Sequence, residues 1–491
     1  MSELIPIHPE VQAFLNREQK LLIGGQWVAA ASGATFDTLN PATGQPLTRV
    51  AAGDQADIDR AVRAARAAFP AWAAIMPAQR ERLLHKFADL MEAHKSELAQ
   101  LEVLDNGKPW GSAYNVEVNV AIGQMRYYAG WCTKLTGETY PVSSPDFHVY
   151  SIRQPLGVCG AITPWNYSLV MATQKIGPAL AAGNTLILKP AEQTPLTAIR
   201  LGELALEAGI PEGVFNVVTG FGETAGAALT AHPDVDKIAF TGSTEVGRRI
   251  IGASAGNLKH VSLELGGKSP LIIFDDADIP AAANAALWAI FANSGQNCVA
   301  GSRLYVQDRV YDAVQDALAS AAPALKIGQG LDTGTQLGPL ISQTQLDRVM
   351  HYVDAGVRDG AALITGGAKL DGAGYFMQPT IFGNVADDAL IAAEEIFGPV
   401  LTVFRFNDES EAVARANSSK FGLAAGVWTR DLSRAHRLAR TLNAGVVWVN
   451  TYDWFDPSVP FGGVGQSGYG RELGRQVMEM YTELKSVWVK L

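Results

Sequence analysis

Cysteine is almost missing from this chain: Cys132, Cys159 and Cys298 are the only three in 491 residues, an odd number without a C-x-x-C pair. That excludes a disulfide framework and a zinc knuckle, and it fits a reducing, cytoplasmic setting. Uncharged apolar runs of 18 residues are also missing, and the opening MSELIPIHPEVQAFLNREQ has neither the basic start nor the apolar stretch of a signal peptide. Neither membrane insertion nor export is therefore expected. Long basic runs are lacking too. With 39 Lys and Arg against 49 Asp and Glu, a formal net charge of -10, the chain has no electrostatic footprint for a nucleic-acid backbone. There is no repeat of solenoid period and no low-complexity tract.

What is present is a hydrophobic fraction of 48% in a chain too long for one core, which implies two or three domains. A short pair of strands (KLLIGGQWVAA) precedes a largely helical first 130 residues, in which DIDRAVRAARAAFPAW and PAQRERLLHKFADLMEAHKSELAQLEVLDNGKP read as amphipathic helices ended by Gly or Pro. From residue 156 the texture changes to LGVCGAIT, SLVMATQKIGPALAAGN, TLILKP, TAIRLGELALEAG, VFNVVTG, DKIAFTG and EVGRRIIGASAG. Short apolar strands alternating with helices predict a parallel sheet buried on both faces. A second α/β series begins at SPLIIF and continues through RLYVQ, VLTVFRF, AAGVWTR and AGVVWVN. The tail ELKSVWVKL alternates like a strand without a neighbour in sequence, so pairing across a subunit interface is expected.

Several stretches carry residues suited to chemistry, each with an ordinary alternative. FTGSTEVGRR sets Gly242, Ser243 and Gly247 between a strand and a helix start, where free N–H groups attract a phosphate; a tight turn needs glycine anyway. GFGETAG (220–226) is of the same type. In TLILKPAEQTP, Lys189 and Glu192 stand at the carboxyl edge of the sheet, able to hold two ribose hydroxyls or simply to form a surface ion pair. Glu264 interrupts the apolar strand HVSLELGGKSP; it is either a general acid/base with a raised pKa or a buried carboxylate satisfied by N–H groups. Asn166 in ITPWNYSLV can donate to an oxyanion or serve a turn. Cys298 lies in FANSGQNCVAG, where Gly295, Gln296 and Asn297 make a poor core wall, so a nucleophile competes with an inert buried thiol.

Taken together, LLIGGQWV, NPATG, TPWNYSL, GPALAAGNTLILKPAEQTP, AGIPEGVFNVVTG, FTGSTEVG, LELGGKSP, GQNC, EEIFGPV and PFGGVGQSGYGRELG resemble the aldehyde dehydrogenase superfamily in order, wording and spacing, from about residue 21 to the C-terminus. The resemblance implies an α/β fold of that family: a Rossmann-like cofactor domain (1–131 and 154–266), an α/β catalytic domain (267–467), and a small oligomerisation β-extension (132–153 and 480–491). It implies Cys298 as nucleophile, Glu264 as base, Asn166 as oxyanion donor with the Cys298 N–H, and Lys175 with Glu472 as a proton relay. Cofactor contacts carried over are Ile162, Thr163, Pro164, Trp165, Lys189, Glu192, Gly222, Phe240, Gly242, Ser243, Leu265, Glu395 and Phe397. The cofactor expected is NAD rather than NADP, because Glu192 would repel a 2′-phosphate. No metal is expected. The partners implied are a small aldehyde and further copies of the chain, as dimer or tetramer.

The implied chemistry adds a thiol to the aldehyde, passes a hydride to the nicotinamide and hydrolyses the thioester, and a thiol suits it because it is partly thiolate near neutral pH. A relative that acylates coenzyme A would lack the base at Glu264. A cysteine hydrolase or acyltransferase would need a histidine, and of the eight only His260 falls near a motif. A non-enzymatic protein on the same fold would not need all these groups intact. One departure is Gly465 in FGGVGQSG, where the family usually has Lys. For the substrate, Tyr167, Val170, Met171, Gln174, Trp454 and Phe455 are the expected lining, and HPEVQAFLNREQKLLIGGQWVAAASG resembles bacterial phenylacetaldehyde dehydrogenases. An aromatic aldehyde is therefore expected, with aliphatic or betaine-type aldehydes as the alternative.

Overall fold

The computed structural model describes residues 3–491. Two largely parallel sheets dominate it, and each begins where the sequence turns to short apolar strands. In the first, the parallel strands lie in the order Phe215–Val217, Thr185–Lys189, Val158–Ile162, Lys237–Thr241 and His260–Glu264. The hairpin Leu21–Ile23 and Gln26–Val28 adds antiparallel at one edge and Gly468–Tyr469 at the other. Strands Val158–Ile162, Thr185–Lys189 and Lys237–Thr241 are buried throughout, which is why they read as continuous apolar runs. The chain winds outward from Val158–Ile162 in one direction, then restarts on its other side with Lys237–Thr241. The carboxyl ends of these two neighbours form a topological switch point, the usual crevice for a ligand in an open α/β sheet.

The second sheet runs Ala362–Thr365, Thr380–Gly383, Val400–Phe406, Arg303–Gln307, Pro270–Ile273, Ala424–Trp428 and Val446–Val449, parallel except at its first strand. Every strand of the second series expected from sequence is in it. The stretch read as one helix over 77–109 is two, Pro77–Ala93 and Lys95–Asn106, broken at His94 and ended by left-handed Gly107. No helix among the described residues is long and apolar enough to cross a membrane.

The C-terminal tail corrects the reading of an unpartnered strand. Thr482–Lys490 pairs antiparallel with Phe147–Pro155 of the same chain, from Thr482 opposite Pro155 to Lys490 opposite Phe147, and Thr139–Tyr140 completes a separate three-stranded sheet. The tail looked orphaned because its partner lies more than 300 positions upstream. Its far edge has no strand beside it among the described residues and leaves Leu484 and Trp488 exposed.

Candidate active site

A cleft of about 560 Å³ opens at the switch point, between the two sheets. The turn after Val158–Ile162 brings Pro164, Trp165, Asn166 and Tyr167 to it, and Met171 follows from the first turns of helix Ser168–Ala182. The turn after Lys237–Thr241 contributes Gly242 and Ser243. Ser243 caps helix Thr244–Ser254 by accepting from the Val246 N–H (3.3 Å), so the positive end of that helix borders the cleft. Glu264, Leu265, Cys298, Glu395 and Phe397 complete the expected set within it.

Cys298 is half-buried on a loop of unusual backbone: Asn293, Ser294 and Gly295 are successively left-handed, with φ of 48°, 56° and 71°. Gly295 is required there, since a β-carbon would collide with the Gly398 carbonyl. From the other side Gly267 meets the loop, where a β-carbon would stand 2.7 Å from the Cys298 carbonyl oxygen. The Asn297 amide accepts from the Val299 N–H (3.2 Å) and donates to Asp453 (3.1 Å), which leaves its oxygen 3.9 Å from the Cys298 sulfur. Burial pushes the Cys298 thiol up, and the carboxyls of Glu395, Asp453 and Glu264 push it further. Desolvation and three acidic neighbours thus oppose ionisation of the thiol in the ligand-free protein, against the expectation of a partly ionised one.

Glu264 ends its strand in apolar surroundings. Burial raises its pKa well above the carboxylate range, Glu472 adds to the rise, and Lys175 and Arg471 oppose it. One of its oxygens stands where a β-carbon on Gly462 would be 2.6 Å away; the other, Oε2, is buried without a partner. Lys175 donates to Thr241 Oγ1 (2.8 Å) and pairs with Glu472 (3.1 Å), whose own Oε2 is likewise unpartnered.

The Asn166 side chain donates to the Gln296 carbonyl, two residues before Cys298, at 2.9 Å. An amide has two N–H groups, so one remains for the cleft. Glu395 accepts from the Gly267 N–H at 2.9 Å and titrates at about 7, raised by burial against the pull of that N–H and of Lys268. Phe397, left-handed at φ 61°, sets its ring edge-on to Trp165 at 5.2 Å.

The remaining expected residues lie outside the cleft. Lys189 is buried, its pKa lowered by burial against Glu192, with which it pairs at 3.1 Å. Ile162 and Phe240 are core residues of their strands, Thr163 is buried behind Pro164, and Gly222 opens a π-helical turn. Val170 and Gln174 are buried in their helix; Trp454 is 75% exposed and Phe455 44%. His260 pairs with Glu483 (3.1 Å) at the surface, and no histidine lines the cleft, which removes the histidine partner a cysteine hydrolase needs. Sequence reasoning missed Asp453, and it missed Lys108, Glu102, Glu117, Asn106 and Asn293 beneath the Asn166 turn. Only a buried charge in an apolar helix could have flagged them.

The model of the aldehyde dehydrogenase family matches residues 27–487. An aldehyde dehydrogenase of Leishmania tarentolae is 51% identical over 96% of this chain and 94% of its own. The benzaldehyde dehydrogenase of Antirrhinum majus is 48% identical over 98% and 90%. The NAD+ complex of an aldehyde dehydrogenase from Bacillus cereus superposes with a TM-score of 0.98 at 49% identity, all of both chains covered. The chain belongs to the aldehyde dehydrogenase family and is an enzyme that oxidises aldehydes.

A neutral resting thiol has a measurable consequence. In the ligand-free enzyme, alkylation of Cys298 by iodoacetamide is expected to be slow at pH 7 and still rising above pH 9, beyond the ordinary thiol range of about 8.5. Asp453→Asn, by removing one raising carboxyl, should move the profile to lower pH. A rate that levels off below pH 8 in the unaltered enzyme contradicts the buried, acid-surrounded thiol.

Proposed function

We propose that this member of the aldehyde dehydrogenase family oxidises an aromatic aldehyde of the phenylacetaldehyde type with NAD, through a thioester on Cys298. The observation that carries the catalytic part is the meeting of Cys298, the Asn166 amide and Glu264 in one cleft. NAD fits the donor set: a capped helix end, Gly242 and Ser243, suits its phosphates, and Trp165, Glu395 and Phe397 would hold the nicotinamide half. Lys189 with Glu192 would hold the other ribose. When bound, NAD supplies the hydride acceptor. The first sheet with residues 1–131 and 154–266 is the cofactor domain on this reading, residues 267–467 the catalytic domain, and the free edge of Thr482–Lys490 joins copies of the chain into a homo-oligomer.

Cys298 sulfur bonds to the aldehyde carbon as its proton leaves to solvent in the open cleft. The carbonyl oxygen gains the electron pair and is held by the Asn166 amide and the Cys298 N–H. Loss of the substrate hydride re-forms C=O and leaves a thioester. Glu264 then takes a proton from water, the hydroxide adds to the thioester carbon, and the C–S bond breaks to release carboxylate and restore the thiol. Glu472, beside Lys175, would then take the proton from Glu264, which restores the base.

Support for an aromatic substrate comes from Tyr167 and Met171 in the cleft and from the name of the Antirrhinum relative. A broad aliphatic or betaine-type range is the second reading, favoured by the exposure of Trp454 at 75%, which leaves one expected wall of the channel open.

Glu264→Gln should abolish steady turnover far more than the first-turnover burst of NADH, measured by rapid mixing, because hydride transfer does not need the base in the second half. Loss of burst and turnover together would contradict the assignment. The raised pKa sets the sign of the pH dependence: turnover should rise with pH above the ordinary carboxylate range, and the glutamine variant should lose that limb. In the same assay kcat/KM should favour NAD over NADP, and an NADP preference would remove Glu192 from the ribose.

Burying a phenyl group, about 120 Å² at about 25 cal/mol per Å², is worth roughly 3 kcal/mol, or about a hundredfold in kcat/KM over acetaldehyde. Hexanal has similar apolar area, so phenylacetaldehyde should exceed it only if the rings matter, by roughly 1 kcal/mol. Phenylacetaldehyde should also lose more than hexanal on Tyr167→Ala, which removes the ring that lines the cleft. Equal losses, or a higher kcat/KM for acetaldehyde or betaine aldehyde, would favour the broad-range reading instead.

A further inference from the structure

Beneath the turn that carries Asn166 lies a buried ion cluster that the reaction above does not use. Lys108 is fully enclosed, and its ammonium gives its protons to Glu102 (3.0 Å), to Glu117 and to the main-chain carbonyl of Asn166 (2.9 Å). Glu102 also receives the hydroxyl of Ser168, the first residue of helix Ser168–Ala182 (3.0 and 2.9 Å). Asn106 donates to the Trp165 carbonyl (2.8 Å), and Asn293, from the loop of Cys298, donates to the Asn166 carbonyl (3.0 Å). Both peptide planes flanking the Asn166 Cα are therefore clamped from distant segments. Glu117 belongs to a π-helical turn, Ala113–Glu117, of the kind that re-aims side chains at functional sites.

Stability does not explain the cluster. Removing an ammonium and two carboxylates from water costs several kcal/mol each, and apolar residues of similar volume commonly stabilise a fold as well or better. What the cluster supplies is direction: with both planes held, the Cα–Cβ bond of Asn166 points one way, and its amide donates to the Gln296 carbonyl at the wall of the cleft.

We propose that Lys108, held by Glu102 and Glu117, is a positioning residue for oxyanion stabilisation, acting through the Asn166 main chain. This rests on the reading of Asn166 as oxyanion donor. A cluster that merely ties residues 102–117 to the sheet would matter equally whether or not the Asn166 amide is present.

A double-mutant cycle separates the two. Asn166→Ala is expected to lower kcat by about 10²–10³-fold, the usual effect of losing one oxyanion donor. Lys108→Met should lower kcat by about tenfold or more, with KM and the NAD dissociation constant, read by fluorescence, held within about twofold. In the Asn166→Ala background the same change should alter kcat by less than about twofold. An equal fall in both backgrounds, or no fall in the single variant, overturns the proposal for Lys108. An unaltered kcat in Asn166→Ala removes the oxyanion reading itself, and the proposal with it. Because Lys108→Met alone strands two buried carboxyls, the cycle is repeated with Lys108→Met/Glu102→Gln/Glu117→Gln, which removes the charges together; the same criteria apply to it.

Discussion

Five residues, Leu265 to Ser269, carry the chain from one sheet to the other, and the site hangs on that crossing. Glu264 ends the last parallel strand of the first sheet, and Pro270 opens an interior strand of the second. The crossing is pinned along its length. The Leu265 N–H donates to the Ser467 carbonyl (3.0 Å), the Gly266 carbonyl accepts the Ser467 hydroxyl (2.7 Å), and the Lys268 carbonyl accepts from Arg303 (2.8 Å). Gly266 and Gly267 carry no side chain, so the Glu395 carboxyl closes over one peptide and the Cys298 loop over the next. The spacing of the acid on one sheet from the thiol on the other is thus set by bare peptide, which neither stretches nor changes rotamer.

Closeness has an electrostatic cost. Glu264, Glu395 and Asp453 all surround Cys298 and are all raised by burial, Glu395 to about 7 and Asp453 to about 6. Burial and mutual repulsion thus oppose ionisation of the thiol and of these carboxyls together. A positive charge brought beside Cys298 lowers the thiol again, which ties its reactivity to what fills the cleft. Lys175 stands behind, bonded to Glu472 and to Thr241.

Local pattern made much of this legible. Strands such as TLILK, buried on both faces, read as short apolar runs, and Glu264 stood out because it interrupts such a run. Cys298 stood out because glycine and amides surround it. The clamp on Asn166 was illegible because its members are dispersed: Lys108 is 58 positions from the carbonyl it holds and Asn293 is 127. The NGKP run containing Lys108 reads as an ordinary helix end. The terminal strand failed for the same reason, its partner being remote. Exposure at a channel mouth is equally silent in sequence, so Trp454 read as a wall and stands in solvent.

The same ammonium bears on the substrate side. Lys108 sits 4.7 Å from the centroid of the Tyr167 ring, so the side chain next to Asn166 is held by a buried cation–π contact as well as by packing. Phe455 is also held, edge-on to Trp448 at 5.6 Å and to Phe461 at 5.3 Å. A ring that is already immobile loses little entropy when a substrate ring packs on it, whereas an exposed side chain such as Trp454 must be ordered first. Selection between aromatic and aliphatic aldehydes on this reading depends on Tyr167 more than on Trp454. Tyr167 and Asn166 are adjacent residues on one clamped turn, so on the proposed reading the grip on the substrate ring and the grip on its carbonyl oxygen share a single mechanical support.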